Sequence, residues 1–372
     1  MCKVGLIVGL IFVHFICTFC NRDNGSKINT VPTINITDNL ICKNIKLSGL
    51  ITDYKFIPLE TREDCMIGQI DKIIFHDDKF YILDSRKAKG LFVFSIDGKF
   101  IHKISKTGRG PGEFNMPRDF CFEPKTNNLV VLEYNFLKYF KEDGTYIKTL
   151  ELPFQSYKFT FSDENHIIFY TSGNEYDLII TNSDGKIDSC YFKSVKETKL
   201  VLHVPFIKTE KDGILYITNL DYKIYKIIGN QITPHTEIRF EKDMYTPNDL
   251  ALLTENRDNV DKFYTISYYF ESPNNIFILY FHNRVPFYLC YNKMTKKTII
   301  AKYDEIENDI TFTKNLPSIR AVDTKDTFIS QFDVNTFIAG INEINDIDPK
   351  LEEILKTSSA TDNPILFLFK FR

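Results

Sequence analysis

The sequence predicts an all-β fold: a six-bladed β-propeller of four-stranded antiparallel blades, with two short helical inserts. Three observations carry this. The 372-residue chain holds 33 Phe and 20 Tyr but no Trp, and aromatic enrichment is a strand signature. Its apolar runs are separated by Asp-Gly or Gly turns, the strongest short hairpin signal. Those turns also recur, since Gly98, Gly144, Gly185 and Gly229 stand 46, 41 and 44 residues apart. A period of this length with strand-only units is that of a propeller blade.

The units follow in order along the chain. The first reads as strands at 79–84, 91–94 and 99–104, and the second as strands at 128–133, 138–140 and 145–150. A third covers 166–170, 178–180 and the turn at Asp184-Gly185, and a fourth covers 213–219, 224–227 and the turn at Gly229-Asn230. Weaker copies at 275–300 and 327–371 complete six, with a seventh open if the stretch 241–275 hides one. The segment 53–60 precedes the first complete unit. It is expected to supply the strand the last blade lacks and so to close the ring. Thr246-Pro247-Asn248-Asp249 and Asp348-Pro349, the latter followed by 350–356, read as helix starts with a polar cap and a first-turn proline. Both are excursions on a propeller face or covers for blade edges.

The first twenty residues bear on location. Lys3 precedes an apolar run from Val4 to Phe19, and residues 21–26 are polar. The run has the length of a signal-peptide core and falls short of a membrane span of about 20 residues. A cysteine closing such a leader ahead of a polar tether resembles a bacterial lipoprotein signal. That resemblance implies lipidation at Cys20, chosen over Cys17, a membrane partner through the N-terminal lipid, and an outer-membrane lipoprotein of the cell envelope. An uncleaved anchor or a plain secretory signal fits the same residues. The expected divisions are a leader at 1–20, a tether at 21–43 and the propeller at 44–372.

Outside the leader stand Cys42, Cys65, Cys121, Cys190 and Cys290, with no CxxC pair, hence no disulfide framework and no zinc signature. Cys42 and Cys65 can pair, but nothing in the sequence demands it. The balance of 46 Lys+Arg against 49 Asp+Glu lacks the basic footprint of a nucleic-acid binder.

The loop Gly108-Arg109-Gly110-Pro111-Gly112-Glu113-Phe114, with Met116-Pro117-Arg118-Asp119 after it, is similar to an NHL-type propeller repeat when taken with 129–133 and Asp143-Gly144. With Phe56-Ile-Pro-Leu-Glu-Thr61 and Asp362-Asn-Pro-Ile-Leu366, the chain resembles the six-bladed β-propeller lipoproteins of gut-type Gram-negative bacteria, over about residues 44–372. The resemblance implies architecture and envelope location more than activity. Glu133 and Asn219 stand where that repeat commonly has the acid seen at Asp84, and Thr171 does so in the third copy. These departures weaken the idea of a repeated acidic metal site.

Several groups are candidates for function. Arg109, Gly110, Pro111, Gly112 and Glu113 form either a ligand-binding loop or an interblade turn. The Lys-Ser/Thr ending of a phosphate loop is missing. Asp84, Asp119, Glu133 and Asp221 fall near loop ends, where they are expected at the mouth of the central channel, bonding backbone or acting as axial acids. The seven histidines form no HxH or HExxH pair. Tyr268-Tyr269-Phe270, Tyr288 and Tyr291 either stack on a sugar or pack between blades. No catalytic residue and no cofactor is predicted, and enzymatic activity stays open. The leading expectation is an envelope-anchored module that binds a glycan, peptide or protein. The alternatives are a propeller-type lyase, lactonase or glycosidase with an axial metal or acid site, and a purely structural component.

Overall fold

The computed structural model describes residues 31–104, 108, 110–171, 173–194, 204–209, 213–218, 221–246, 249, 263–311, 316–338 and 348–372. Six antiparallel sheets form the six blades of a propeller. The first blade comprises Lys72–His76, Lys79–Asp84, Gly90–Ser95 and Phe100–Ile104, paired in sequence order. The second is built from Asp119–Phe122, Leu129–Glu133, Phe136–Phe140 and Tyr146–Glu151. The third uses Lys158–Phe161, His166–Tyr170, Tyr176–Asn182 and Ile187–Lys193. Phe206–Lys208, Ile214–Ile217, Lys223–Ile228 and Gln231–Phe240 make the fourth. Thr265–Glu271, Asn275–His282, Val285–Asn292 and Thr298–Lys302 make the fifth.

First strands of neighbouring blades touch one another, so they line the axis and the fourth strands form the rim. Burial follows from that placement. Lys79–Asp84 and Gly90–Ser95 are buried at every position but one end each. They lie between neighbouring blades, which is why they read as unbroken apolar runs rather than as an alternation. The rim strand Tyr146–Glu151 has no buried residue. Gly98, Gly144, Gly185 and Gly229, at the periodic turns, take φ of +79, +85, +78 and +59°. Glycine enters that region without steric cost, and this is the physical origin of the repeat.

The sixth blade joins the two ends of the chain. Ser318–Val322, Phe328–Phe332 and Ile365–Phe371 are completed by Ile51–Pro58, with Ile365 opposite Pro58 and Phe371 opposite Ile51. The expected closing strand is therefore present, and the blades number six.

Upstream of it the chain belts the rim. Thr33–Ile36 pairs parallel with the outer strand of the fourth blade, Ile41–Cys42 with that of the fifth, and Ile45–Lys46 with Ile306–Glu307. Residues 33–42, assigned to the tether from sequence, thus cover rim edges whose backbone groups would otherwise stand unpaired.

The helix expected after Asp348 spans Pro349–Lys356. Asp348 caps it by accepting from the Lys350 and Leu351 N–H groups, and Leu351 and Leu355 are buried. The Tyr54 hydroxyl, on the closing strand, donates to the Asp348 carboxylate at 2.8 Å. A further short helix, Val334–Ile338, was not expected. At the other insert, the Thr246 N–H and hydroxyl both donate to Asp249, while Pro247 and Asn248 lie outside the described residues. Cys42, Cys65, Cys121, Cys190 and Cys290 are all free thiols. Cys20 and the rest of the leader lie outside the described residues.

Candidate functional site

The starts of the innermost strands meet at one end of the axis. The Lys72 ammonium donates to Asp119 Oδ1 at 2.7 Å and to the Phe120 carbonyl at 2.8 Å. Asp119 Oδ2 accepts from the Phe159 N–H at 2.9 Å, and Lys158 Nζ lies 3.4 Å from the Arg118 carbonyl. Each blade's second strand runs antiparallel to its first and ends at this same face. The blade-to-blade links and the turns between second and third strands therefore share it. Asp84, Asp119, Glu133, Asp221 and the loop 110–114 all belong to this face.

The four acids are fully engaged there. Asp84 is buried and accepts from the N–H groups of Gly68, Gln69, Arg86 and Lys87. Glu133 repeats the device one blade on, accepting from the Asn115 and Met116 N–H groups and from Lys138. Burial pushes its carboxyl up, but the Lys138 and backbone bonds outweigh that and hold it below the usual range. Asp119 stitches three blades as described, and Asp221 accepts from the Lys223 N–H and, at 2.6 Å, from the Tyr225 hydroxyl. In each case the carboxylate organises a loop.

The glycine-rich loop is an ordered turn. Its Glu113 carboxylate accepts from the Gly110 N–H at 2.9 Å, and the Glu113 carbonyl accepts from Lys138. Phe114 is fully buried, edge-on to Phe140. Gly112 has φ +74°, and a Cβ there would meet the Tyr146 Cβ at 2.8 Å. Pro111 sits at its tip, and Arg109 lies outside the described residues. The aromatics Tyr269 and Phe270 are buried, and Tyr288 packs edge-on to Phe277, so these are core groups.

What stands open on this face is a different set. The Arg118 guanidinium lies 4.2 Å from the Tyr134 ring centroid and 4.8 Å from that of Tyr157, a cation held between two aromatics. Both tyrosines are exposed, at 37% and 40%, and Met116 beside them is 46% exposed. One guanidinium nitrogen donates to the Ser156 carbonyl at 3.0 Å. Among the described residues no carboxylate pairs with Arg118 or with Lys158. Burial pushes the Lys158 ammonium down, Asp119 opposes this, and Lys72 adds to it. Tyr134 takes φ +55°, a region bulky residues rarely occupy. Strain of this kind concentrates at binding surfaces.

Sequence reasoning named Arg118 only as part of a repeat and missed Tyr134 and Tyr157. The three come from a blade link, a strand turn and the next link, so no local spacing joins them.

Among the described residues, two of the cavities lie beside the blades. One of about 330 Å³ includes Asp38, Lys242, Tyr264, Tyr280, His282 and Lys302 in its lining. Its histidine is engaged, 3.1 Å from Asp243 and stacked at 4.0 Å on Tyr264. The other lies in the sixth blade. Among the described residues, no three His, Cys, Asp or Glu side chains are grouped so as to hold a metal ion.

Comparison with known proteins gives a family and a fold. The profile of a family described as a domain of unknown function, DUF4934, matches residues 31–370. No curated protein matches the chain. A solved structure from Bacteroides fragilis, described as a candidate exported protein, is similar at a TM-score of 0.77 and 20% identity, covering 92% of this chain and 100% of its own. A Bacteroides vulgatus member of the duf4221 family is similar at a TM-score of 0.54 and 10% identity, covering 87% and 98%. At these identities the likeness is one of fold.

Proposed function

The chain belongs to the DUF4934 family of unknown function, and from that premise we propose that it is an envelope-anchored binding module for an acidic glycan. One observation carries the reading: the Arg118 guanidinium lies between two exposed tyrosines, with no carboxylate partner among the described residues. Sugar rings stack on aromatic faces, and a carboxylate or sulfate takes the free guanidinium donors. A rigid scaffold that carries its contacts on loops suits recognition. The leader ending at Cys20 supports lipid attachment at the outer membrane, and the likeness to a candidate exported protein supports an envelope address.

The enzyme alternative finds less support, because Asp84, Asp119, Glu133 and Asp221 are each held by backbone or side-chain donors. General acid–base work needs a carboxyl within reach of substrate.

The test is thermal-shift titration of the full chain with acidic and neutral oligosaccharides. Ligand at about 100 times Kd stabilises the fold by about 2.7 kcal/mol. An acidic glycan is expected to raise the midpoint, and Arg118→Ala to abolish the rise. A shift from neutral glycans alone, or from an acidic peptide alone, would defeat the reading. So would turnover of the glycan.

A further inference from the structure

The sixth blade holds a second feature. A cavity of about 280 Å³ is lined by Tyr303, Ser318, Arg320, Gln331, Asp333 and Thr336, with Leu316 and Phe332 completing the wall. This is just below the usual range of ligand pockets, roughly 300–1,000 Å³, so its occupant is small.

Arg320 is placed there by a defect in the sheet. Ser318 faces Gln331 and Ile319 faces Ser330, but the next pairing is Ala321 with Ile329. Arg320 is therefore the extra residue of a β-bulge on an innermost strand, a device that re-aims a side chain and is frequent beside binding sites.

Two buried polar atoms of the lining residues have no hydrogen-bond partner: Arg320 Nε, a donor, and Gln331 Oε1, an acceptor. Leaving such groups unsatisfied costs roughly 1–3 kcal/mol each. Native folds keep few of them, and those that persist mark a catalytic or binding role, strain, or an unseen ion or water. The charges are arranged in the same way. Arg320 and Asp333 line one cavity without forming an ion pair with each other or with any other described residue. A cation and an anion both left free in one small pocket complement a ligand that carries both charges. The Tyr303 hydroxyl accepts from the Leu316 N–H at 2.9 Å and keeps its own proton for a ligand.

We propose that this cavity binds a small zwitterion of the α-amino-acid class. Its carboxylate goes to the Arg320 guanidinium, and its ammonium goes to Asp333. The inference goes beyond the glycan reading, because it uses none of the residues of the Arg118 platform.

Calorimetry and thermal shift on the full chain test it with four sets of probes. These are the amino acids, the matching amines without a carboxylate, the matching hydroxy acids without an ammonium, and glucuronate. At least one amino acid is expected to bind at least about tenfold more tightly than its amine and hydroxy-acid counterparts, as charge-assisted hydrogen bonds at both ends require. Arg320→Gln is expected to remove that binding. Asp333→Asn is expected to erase the preference for the amino acid over the hydroxy acid. The unliganded midpoint of each variant separates lost binding from misfolding, and Asp333 is exposed, so its substitution leaves the fold intact. Three results overturn the assignment: no amino acid binding at millimolar concentration, glucuronate binding as tightly as any amino acid, or Arg320→Gln binding unchanged. Because the glycan test turns on Arg118→Ala and this one on Arg320→Gln, each can fail without the other.

Discussion

Glu271, the last residue of the fifth blade's innermost strand, lies 3.0 Å from His235 on the fourth blade's rim strand. Lys293 donates to the same carboxylate at 2.9 Å, and the Tyr269 hydroxyl donates as well. Burial pushes the Glu271 carboxyl up, but these three donors outweigh it and hold it at about 2. The unfolded value is near 4.5, so the folded state binds its proton less readily. The stabilisation is thus complete above the unfolded value and is lost as pH falls from about 4.5 through about 2. Glu271→Gln is expected to cost roughly 3 kcal/mol at pH 7, with the difference from the parent chain shrinking at pH 3. Urea midpoints at the two pH values check this, and a difference that grows on acidification would contradict it.

Asn363 makes a second junction. Buried at 2% exposure, its side chain accepts from the Ile67 N–H at 2.8 Å and donates to the carbonyls of Glu60 and Cys65 at 2.8 and 2.9 Å. Asn363→Leu keeps the approximate volume but strands one N–H and two C=O groups. A loss of roughly 3 kcal/mol is expected from equilibrium unfolding. Asn363→Ser should lose less, since a hydroxyl still serves one of them.

Gly112→Ala places a methyl group at a φ of +74° and 2.8 Å from the Tyr146 Cβ. Both effects act in the same direction, and a cost of about 2 kcal/mol or more is expected. A thermal midpoint equal to that of the parent chain would show that the loop 110–114 relaxes freely.

Tyr134→Asn separates stability from binding. Asn tolerates the φ of +55° better than Tyr, while the cation–π contact with Arg118 is lost. The two effects oppose each other, so stability should stay within about 1 kcal/mol of the parent. Affinity for an acidic glycan should fall by about tenfold, since stacking energies of this size are typical. Equal affinity would remove Tyr134 from the platform.

Much of the architecture could be read from the chain because its causes are local and repeated. The turns at Gly98, Gly144, Gly185 and Gly229 need positive φ, and the middle strands are apolar throughout because each is covered on both sides. The motifs at 56–61 and 362–366 were conspicuous for a reason the structure supplies. Phe56 and Ile57 pair with Phe367 and Leu366, Glu60 accepts from the Phe100 N–H, and Asn363 ties the same junction. The belt at 33–46 was missed because its strands are two to four residues long and carry no periodicity. The open groups of the face were missed for the opposite reason. Arg118, Tyr134, Tyr157 and Arg320 acquire meaning only from neighbours in other loops, or from a bulge that no residue type announces.

The pairing of Ile51 with Phe371 joins positions separated by nearly the whole folded chain. Contacts so distant in sequence are slow to form, because the loop entropy must be met before the pairing returns anything. The ring therefore cannot lock until Ile365–Phe371 has been made, and until then Ile51–Pro58 offers an open edge. Deleting 365–372 should leave a product that aggregates rather than a five-bladed ring.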